Sequence, residues 1–226
     1  MLQGIPASGG FAIGKIVKLE EQIIAYEQRS SRGEKAEQRR YEAALCAFTQ
    51  KTQAAAGALR RIVGKEEADI FTGHIFMAHD PDMQKQVKAK IAGGFSAEMA
   101  METACESFIQ KLLSAQSDFA RQRAADVRDV KQSFLSILTN APEAARHIPF
   151  GSVIAAKELT PSAVHLMDKR RTVAAVAEQG ERACHFAILM RAMGIPAVLS
   201  VSGLMERLHT AQKVIVDGDK GEIIPV

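Results

Sequence analysis

The chain has 226 residues, 47% of them hydrophobic and 24% charged, with a net charge of +3. That is enough apolar content for one large or two modest cores, without an apolar run long enough to cross a bilayer. Cys46, Cys105 and Cys184 are widely spaced with no CxxC pair, which argues against a disulfide framework and a zinc site, and the small net charge with no Trp and two Tyr argues against nucleic acid as a partner.

The opening, MLQGIPASGGFAIGK, lacks a basic stretch ahead of an apolar core, so it does not read as a signal peptide and a cytoplasmic location is expected. Residues 1–20 read as strand, with Gly4, Gly9, Gly10 and Gly14 punctuating Ile13, Ile16 and Val17. From about 33 to 140 the composition is helical. Tyr41, Leu45, Phe48, Thr52, Ala55, Leu59 and Ile62 recur at spacings of four and three, a seam that calls for an antiparallel partner. Ala120, Ala124, Val127, Val130, Phe134 and Ile137 form a matching stripe.

Two or three shorter helices are expected between these stripes. Asp80 followed by Pro81 predicts a helix start, with Met83, Val87 and Ile91 on its buried side and Gly93-Gly94 at its end. Ser96 is placed to cap the next, whose apolar side holds Met101, Cys105, Phe108 and Leu112. Packed helix core accounts for all of these positions.

From about 150 the pattern becomes α/β. Strands are predicted over residues 153–156, 172–176 and 197–201, with a short helix after Thr160-Pro161. A hairpin pairs residues 214–216 with 223 and 224 around the turn 217–221. The N-terminal strand can complete this sheet, which makes the helices an insertion in an α/β domain.

His185, in GERACHFAILMRAMGIPAV, falls where the second of these strands turns into a helix. Open α/β sheets bind ligands there, because unpaired helix amides and the helix dipole favour an anion such as phosphate. A neutral imidazole, with an unperturbed pKa of about 6.5, is a competent nucleophile near neutral pH. A hydrogen-bonded structural histidine remains the alternative on chemistry alone. His74 reads as an interhelical residue on the face of Ile70, Phe71 and Met77. His79, His147, His165 and His209 have neither a phosphate-loop context nor metal-ligand spacing. Cys184 reads as a small packed residue rather than a nucleophile.

The segment from Gly180 through His185 to Arg191, followed by Gly194-Ile195-Pro196-Ala197-Val198, resembles the phosphohistidine motif of Enzyme I of the sugar phosphotransferase system, Gly-Gly-x-Thr-Ser-His-x-Ala-Ile-x-Ala-Arg with a following Gly-Ile-Pro-Ala-Val. Residues 4–15, Ile70-Phe71 with His74 and Asp80, Arg123-Ala124-Ala125-Asp126-Val127-Arg128-Asp129, and Leu159-Thr160-Pro161-Ser162 match further stretches of the family in order. The resemblance implies a swivelling phosphohistidine α/β domain, residues 1–24 plus 144–226, with an inserted α-helical bundle subdomain, residues 25–143, that docks the phosphocarrier HPr.

In that family phosphoenolpyruvate, held by a separate C-terminal barrel, phosphorylates the histidine on Nε2, and HPr then takes the phosphoryl group. The family's first domain ends about where this chain ends, so the chain alone is not expected to use phosphoenolpyruvate. No cofactor is expected here, and Mg²⁺ belongs to that C-terminal domain. The resemblance makes His185 the phosphoryl acceptor and puts Gly180 and Arg191 beside the phosphate. Glu66, Asp80, Asp82 and Arg123 fall on the partner-binding helices.

The departures lie next to the histidine. Ala183 and Cys184 stand where the family has Thr-Ser, Glu181 replaces its second glycine, and Val164 stands where a hydroxyl residue is frequent. A carboxylate within ~5 Å of a phosphate costs roughly 3 kcal/mol per interacting charge at an effective dielectric near 20. Two readings follow: a phosphoryl relay, or a non-catalytic HPr-binding or regulatory module with a degenerate pocket. The long helical insertion argues against a third, the phosphohistidine domain of a pyruvate phosphate dikinase-like enzyme.

Overall fold

The computed structural model describes residues 1–20, 24–115, 117–141, 148–167 and 170–226, with the backbone alone at 118, 165 and 166. The chain divides into two compact units, one of Met1–Gln22, Ile62–Glu67 and Ala145–Val226, the other of Ile23–Arg61 and Ala68–Ala144. The junction expected at 143/144 and His147 fall outside the described residues, as does the side chain of His165.

The first unit is built on one eight-stranded sheet. Its strands are β1 (Leu2–Gln3), β2 (Ile5–Ser8), β3 (Phe11–Leu19), β4 (Ser152–Ala156), β5 (Thr172–Ala177), β6 (Ala197–Leu199), β7 (Lys213–Asp217) and β8 (Glu222–Pro225), in the order β1-β8-β7-β3-β4-β5-β6-β2. β3, β4, β5 and β6 are parallel neighbours, and antiparallel strands flank them on both sides. Parallel strands need crossovers and are buried on both faces. This explains why β4, Ser-Val-Ile-Ala-Ala, is buried at every position instead of alternating.

One face is sealed by Ile16, Val153, Ala155, Ala174, Val176, Val198, Val214, Val216 and Ile223, packed with Leu204 and Leu208 from α7 (Leu204–Arg207) and its exit. Helix α6 (His185–Met193) fills the β5–β6 crossover and packs against β2 and a short 3-10 helix, Pro161–Leu166.

The N-terminal region differs from the single strand region read from sequence. It forms three strands, with β1 and β2 closing opposite edges of the sheet. β6 also stops at Leu199 rather than at 201, because Ser200 turns to φ +55°.

The second unit contains α1 (Glu34–Val63) as far as Arg61, α2 (Lys65–Ala78) from Ala68 onward, α3 (Pro81–Ala92), α4 (Ala97–Ser114) and α5 (Asp118–Leu138). The predicted caps hold: Asp80 Oδ1 accepts the amides of Asp82 and Met83, and Ser96 Oγ accepts that of Met99. Tyr41 and Phe48 of α1 meet Phe134 of α5 at ring-centroid distances of 6.0 and 5.1 Å. The α1 seam does not stay inside throughout, since Ile62 is 56% exposed. Leu59, the seam position before it, is still buried at 4% exposed, so the seam leaves the core only at its last position.

Buried charge also ties this unit together, which periodicity cannot reveal. The Arg40 guanidinium donates to Glu37 and Glu98 and to the carbonyl of Leu138, at the end of α5. Glu37, 2% exposed, also accepts Ser30 Oγ at 2.7 Å and the Ala97 amide at 2.9 Å, so it caps α4 from α1. Burial alone would raise the Glu37 carboxyl pKa. The hydrogen bonds from Ser30, Ala97 and Arg40 outweigh it and hold the carboxyl below its ordinary 4.5.

A folded-state pKa below the unfolded one adds stability that is complete above about pH 4.5 and lost as pH falls through the lowered value. Glu37→Gln is expected to cost about 1–3 kcal/mol in urea unfolding at pH 7. Below pH 4 the gap between variant and wild type should narrow, and a gap independent of pH would exclude this role for Glu37.

Candidate functional site at the start of helix α6

His185 is the first residue of α6, half-buried, and follows the loop that leaves the carboxyl end of β5. The helix forms because Phe186, Ala187, Leu189, Met190 and Met193 make one buried face, and it ends at Gly194 in the left-handed region, φ 65°. Its N-cap is Cys184, whose backbone is extended and whose side chain makes no capping hydrogen bond. The amides of Phe186 and Ala187 in the first turn therefore find no acceptor on the cap side chain, and the helix dipole is positive at this end.

The loop before the histidine is held at each stage. The amides of Glu178 and Gln179 donate to the carbonyls of Ala156 and Lys157, and Glu178 Oε1 accepts the Met205 amide at 2.8 Å. Gly180 has φ +128°, and a Cβ there would lie 3.0 Å from Leu199 Cδ1. Its carbonyl accepts Ser200 Oγ at 2.5 Å. The Cys184 amide closes a turn onto the Glu181 carbonyl. Glu181 is half-buried, while Arg182 and Ala183 are exposed.

Arg191 lies within α6, and its guanidinium reaches back along the helix. One terminal nitrogen donates to the carbonyls of Ala7 (2.7 Å) and Arg182 (2.9 Å), tying β2 and the loop to α6. The 3-10 helix that packs on α6 opens with Thr160 and Ser162, whose hydroxyls are 3.1 Å apart. Gly180 and Arg191 hold the loop that leads to His185, and sequence reading did not name their partners Ser200 and Ala7 as part of the site. A hydroxyl beyond a strand end and a backbone carbonyl in a distant strand carry no periodic or motif signal.

The partner-binding candidates lie elsewhere. Glu66 is exposed in the first turn of α2, Asp82 is exposed at the start of α3, and Asp80 spends Oδ1 on the α3 cap. Arg123 on α5 lies 5.2 Å from the centre of the Phe119 ring and 3.5 Å from Asp126 Oδ2.

Phe119 and Phe76 are 66% and 72% exposed. Both fall out of phase with the buried stripes of α5 and α2, a signal present in the sequence but unused. His74, read as interhelical, is 4% exposed, with its ring nitrogens 3.7 Å from Asp126 and 3.8 Å from Asp129. Those two aspartates, the acidic positions of the Arg123–Asp129 motif, are buried and face α2.

Two family models match the chain: the N-terminal segment of phosphoenolpyruvate-utilising enzymes over residues 3–123, and the mobile domain of the same enzymes over 148–221. A phosphoenolpyruvate-protein phosphotransferase of Priestia megaterium is 33% identical over 225 residues, and one of Bacillus subtilis is 30% identical over 230. Each alignment covers 99% of this chain, which spans about two fifths of those relatives: 39% and 40%. Among solved structures, an Enzyme I structure determined by NMR matches with TM-score 0.75 and 27% identity, covering 100% of this chain and 92% of that one. The N-terminal domain of a nitrogen Enzyme 1 matches at 0.66 and 25%, covering 100% and 93%.

Gly180→Ala places a side chain in a backbone region that L-residues avoid and against Leu199. The expected cost is about 1–3 kcal/mol in thermal unfolding, with faster amide exchange across 178–184. Unchanged melting and exchange would show that the loop does not depend on this glycine.

Proposed function

We propose the following function for this chain, which belongs to the phosphoenolpyruvate-utilising enzyme family: His185 accepts a phosphoryl group and passes it to a small phosphocarrier protein docked on the helical unit. The observation that carries this reading is His185 as the first residue of a helix behind the carboxyl end of a parallel strand, with first-turn amides uncapped by Cys184. An imidazole nitrogen attacks phosphorus, a P–N bond forms, and the P–O bond to the donor breaks. The helix amides stabilise the charge on the equatorial oxygens.

Phosphoryl transfer is mostly positioning, and the Arg191, Ser200 and Gly180 contacts support a pre-set loop. The donor is phosphoenolpyruvate held by a C-terminal domain, in keeping with the relatives' name. Exposed Phe76 and Phe119, with Arg123 stacked on Phe119 and the acidic Asp82 at the start of α3, suit a mixed apolar and charged docking face on the helical unit. An HPr-like carrier is the proposed partner and the cytoplasm the proposed location. Among the described residues no helix is long and apolar enough to cross a membrane.

A second reading, carrier binding without transfer, draws on Ala183 and Cys184, which bring no hydroxyl to the histidine, and on the half-buried Glu181 beside them.

Incubation with a phosphorylated HPr-type carrier separates the two. Acid-labile label on the wild type and none on His185→Ala is the expected result, and an unlabelled wild type that still binds the carrier supports the second reading. Arg191→Gln is expected to slow transfer about tenfold while leaving carrier affinity unchanged. Phe119→Ala should weaken carrier binding about tenfold or more by calorimetry.

A further inference from the structure

Among the described residues, Asn140, Ser200 and Ala211 are the non-glycines with a positive φ, at 49°, 55° and 65°. Asparagine is enriched in this region because its side chain bonds locally, and glycine enters it without strain. Serine has neither advantage. Ser200 follows β6 directly, in the structure that surrounds the loop leading to His185.

The turn at Ser200 does two things. It carries the Val201 amide to the carbonyl of Ala177, the last residue of β5, at 3.0 Å. That bond is backbone to backbone, so a glycine at 200 would keep it. The turn also brings the serine side chain to the β5 exit, where Oγ donates to the Gly180 carbonyl at 2.5 Å. Only this second contact needs a hydroxyl, and the hydroxyl is what serine adds where glycine fits better.

The acceptor lies upstream of the whole turn that delivers the histidine. Gly180, at φ +128°, has the rotational freedom of a glycine. A trans peptide is planar, so holding its carbonyl fixes the plane it shares with the Glu181 amide. The Cys184 amide then closes back on the Glu181 carbonyl at 3.1 Å, and Cys184 is the N-cap ahead of His185. Ala183 carries no hydroxyl and the Cys184 side chain makes no capping bond. Side chains outside the turn hold it instead, Ser200 on the carbonyl of Gly180 and Arg191 on that of Arg182.

Strained residues persist where the surrounding structure over-determines them, and they cluster at functional sites. We propose that Ser200 is a positioning residue for phosphoryl transfer. Its hydroxyl sets the Gly180–Glu181 peptide and, through the turn, the presentation of His185, and backbone strain at 200 is retained for that contact. The inference rests on His185 as the phosphoryl acceptor.

Three variants separate this role from a structural one. Ser200→Gly removes the hydroxyl and relieves the strain, so its melting midpoint should stay within about 2 °C of wild type. Ser200→Ala removes the hydroxyl and keeps the strain, and should melt about 2–4 °C lower. With a phosphorylated HPr-type carrier at saturation, both should take label about tenfold more slowly than wild type, with the half-saturating carrier concentration unchanged. Ala211→Gly relieves the same kind of strain in the turn before β7, and should leave the rate unchanged. Wild-type rate in Ser200→Gly overturns the proposal, because transfer then follows stability rather than the hydroxyl. So does equal slowing in Ala211→Gly. A wild type that takes no label overturns the phosphoryl reading, and this inference with it.

Discussion

Parallel pairing among β3, β4, β5 and β6 is the constraint from which the rest follows. Adjacent parallel strands cannot be joined by a hairpin, so the chain must travel from one end of the sheet to the other between each pair. The β3–β4 passage is where the helical unit was accommodated. The β4–β5 passage holds the 3-10 helix with its paired hydroxyls, and the β5–β6 passage holds α6 and His185. Each feature with chemical potential in the sheet unit is therefore a consequence of connecting parallel strands.

The β5–β6 passage shows how a loop becomes a site. Its backbone is held from β4, from β6, from β2 and from α7 by single hydrogen bonds, most of them to carbonyls. Arg191 is the clearest case. The family resemblance puts its charge beside a phosphate, and the fold shows that the same guanidinium also joins two chain segments through Ala7 and Arg182. The side chains of Ala183 and Cys184 do not set the loop's shape, because neither supplies the hydrogen bonds that hold it.

The helical unit keeps a few of its charges inside and some of its rings outside. Glu37, Arg40 and Glu98 join α1, α4 and the end of α5, where a partly satisfied set would be costly and a satisfied one specifies the packing. Phe76 and Phe119 remain in solvent, where they add nothing to the core.

Periodicity and turn chemistry made most of this architecture legible. The stripes of α1 and α5, the caps Asp80 and Ser96, the strands β4 and β5 and the β7–β8 hairpin depend on neighbours three, four or two residues away, so local order carries them. Motif spacing singled out His185, Gly180 and Arg191 for the same reason.

The positions of β1 and β2 at opposite sheet edges, the Glu37 cap on a different helix, the clamp from Ser200 to Gly180 and the pairing of Ile13 with Ile215 were settled by tertiary structure alone. Each joins residues far apart in sequence, from about 20 for Ser200 and Gly180 to about 60 for Glu37 and Ala97 and about 200 for Ile13 and Ile215. No local preference encodes such a meeting. By itself the sequence determined which segments become helix or strand and which histidine begins a helix. Only packing decided what surrounds that histidine and which apolar residues stay in solvent, because burial and register are properties of the assembled sheet and bundle.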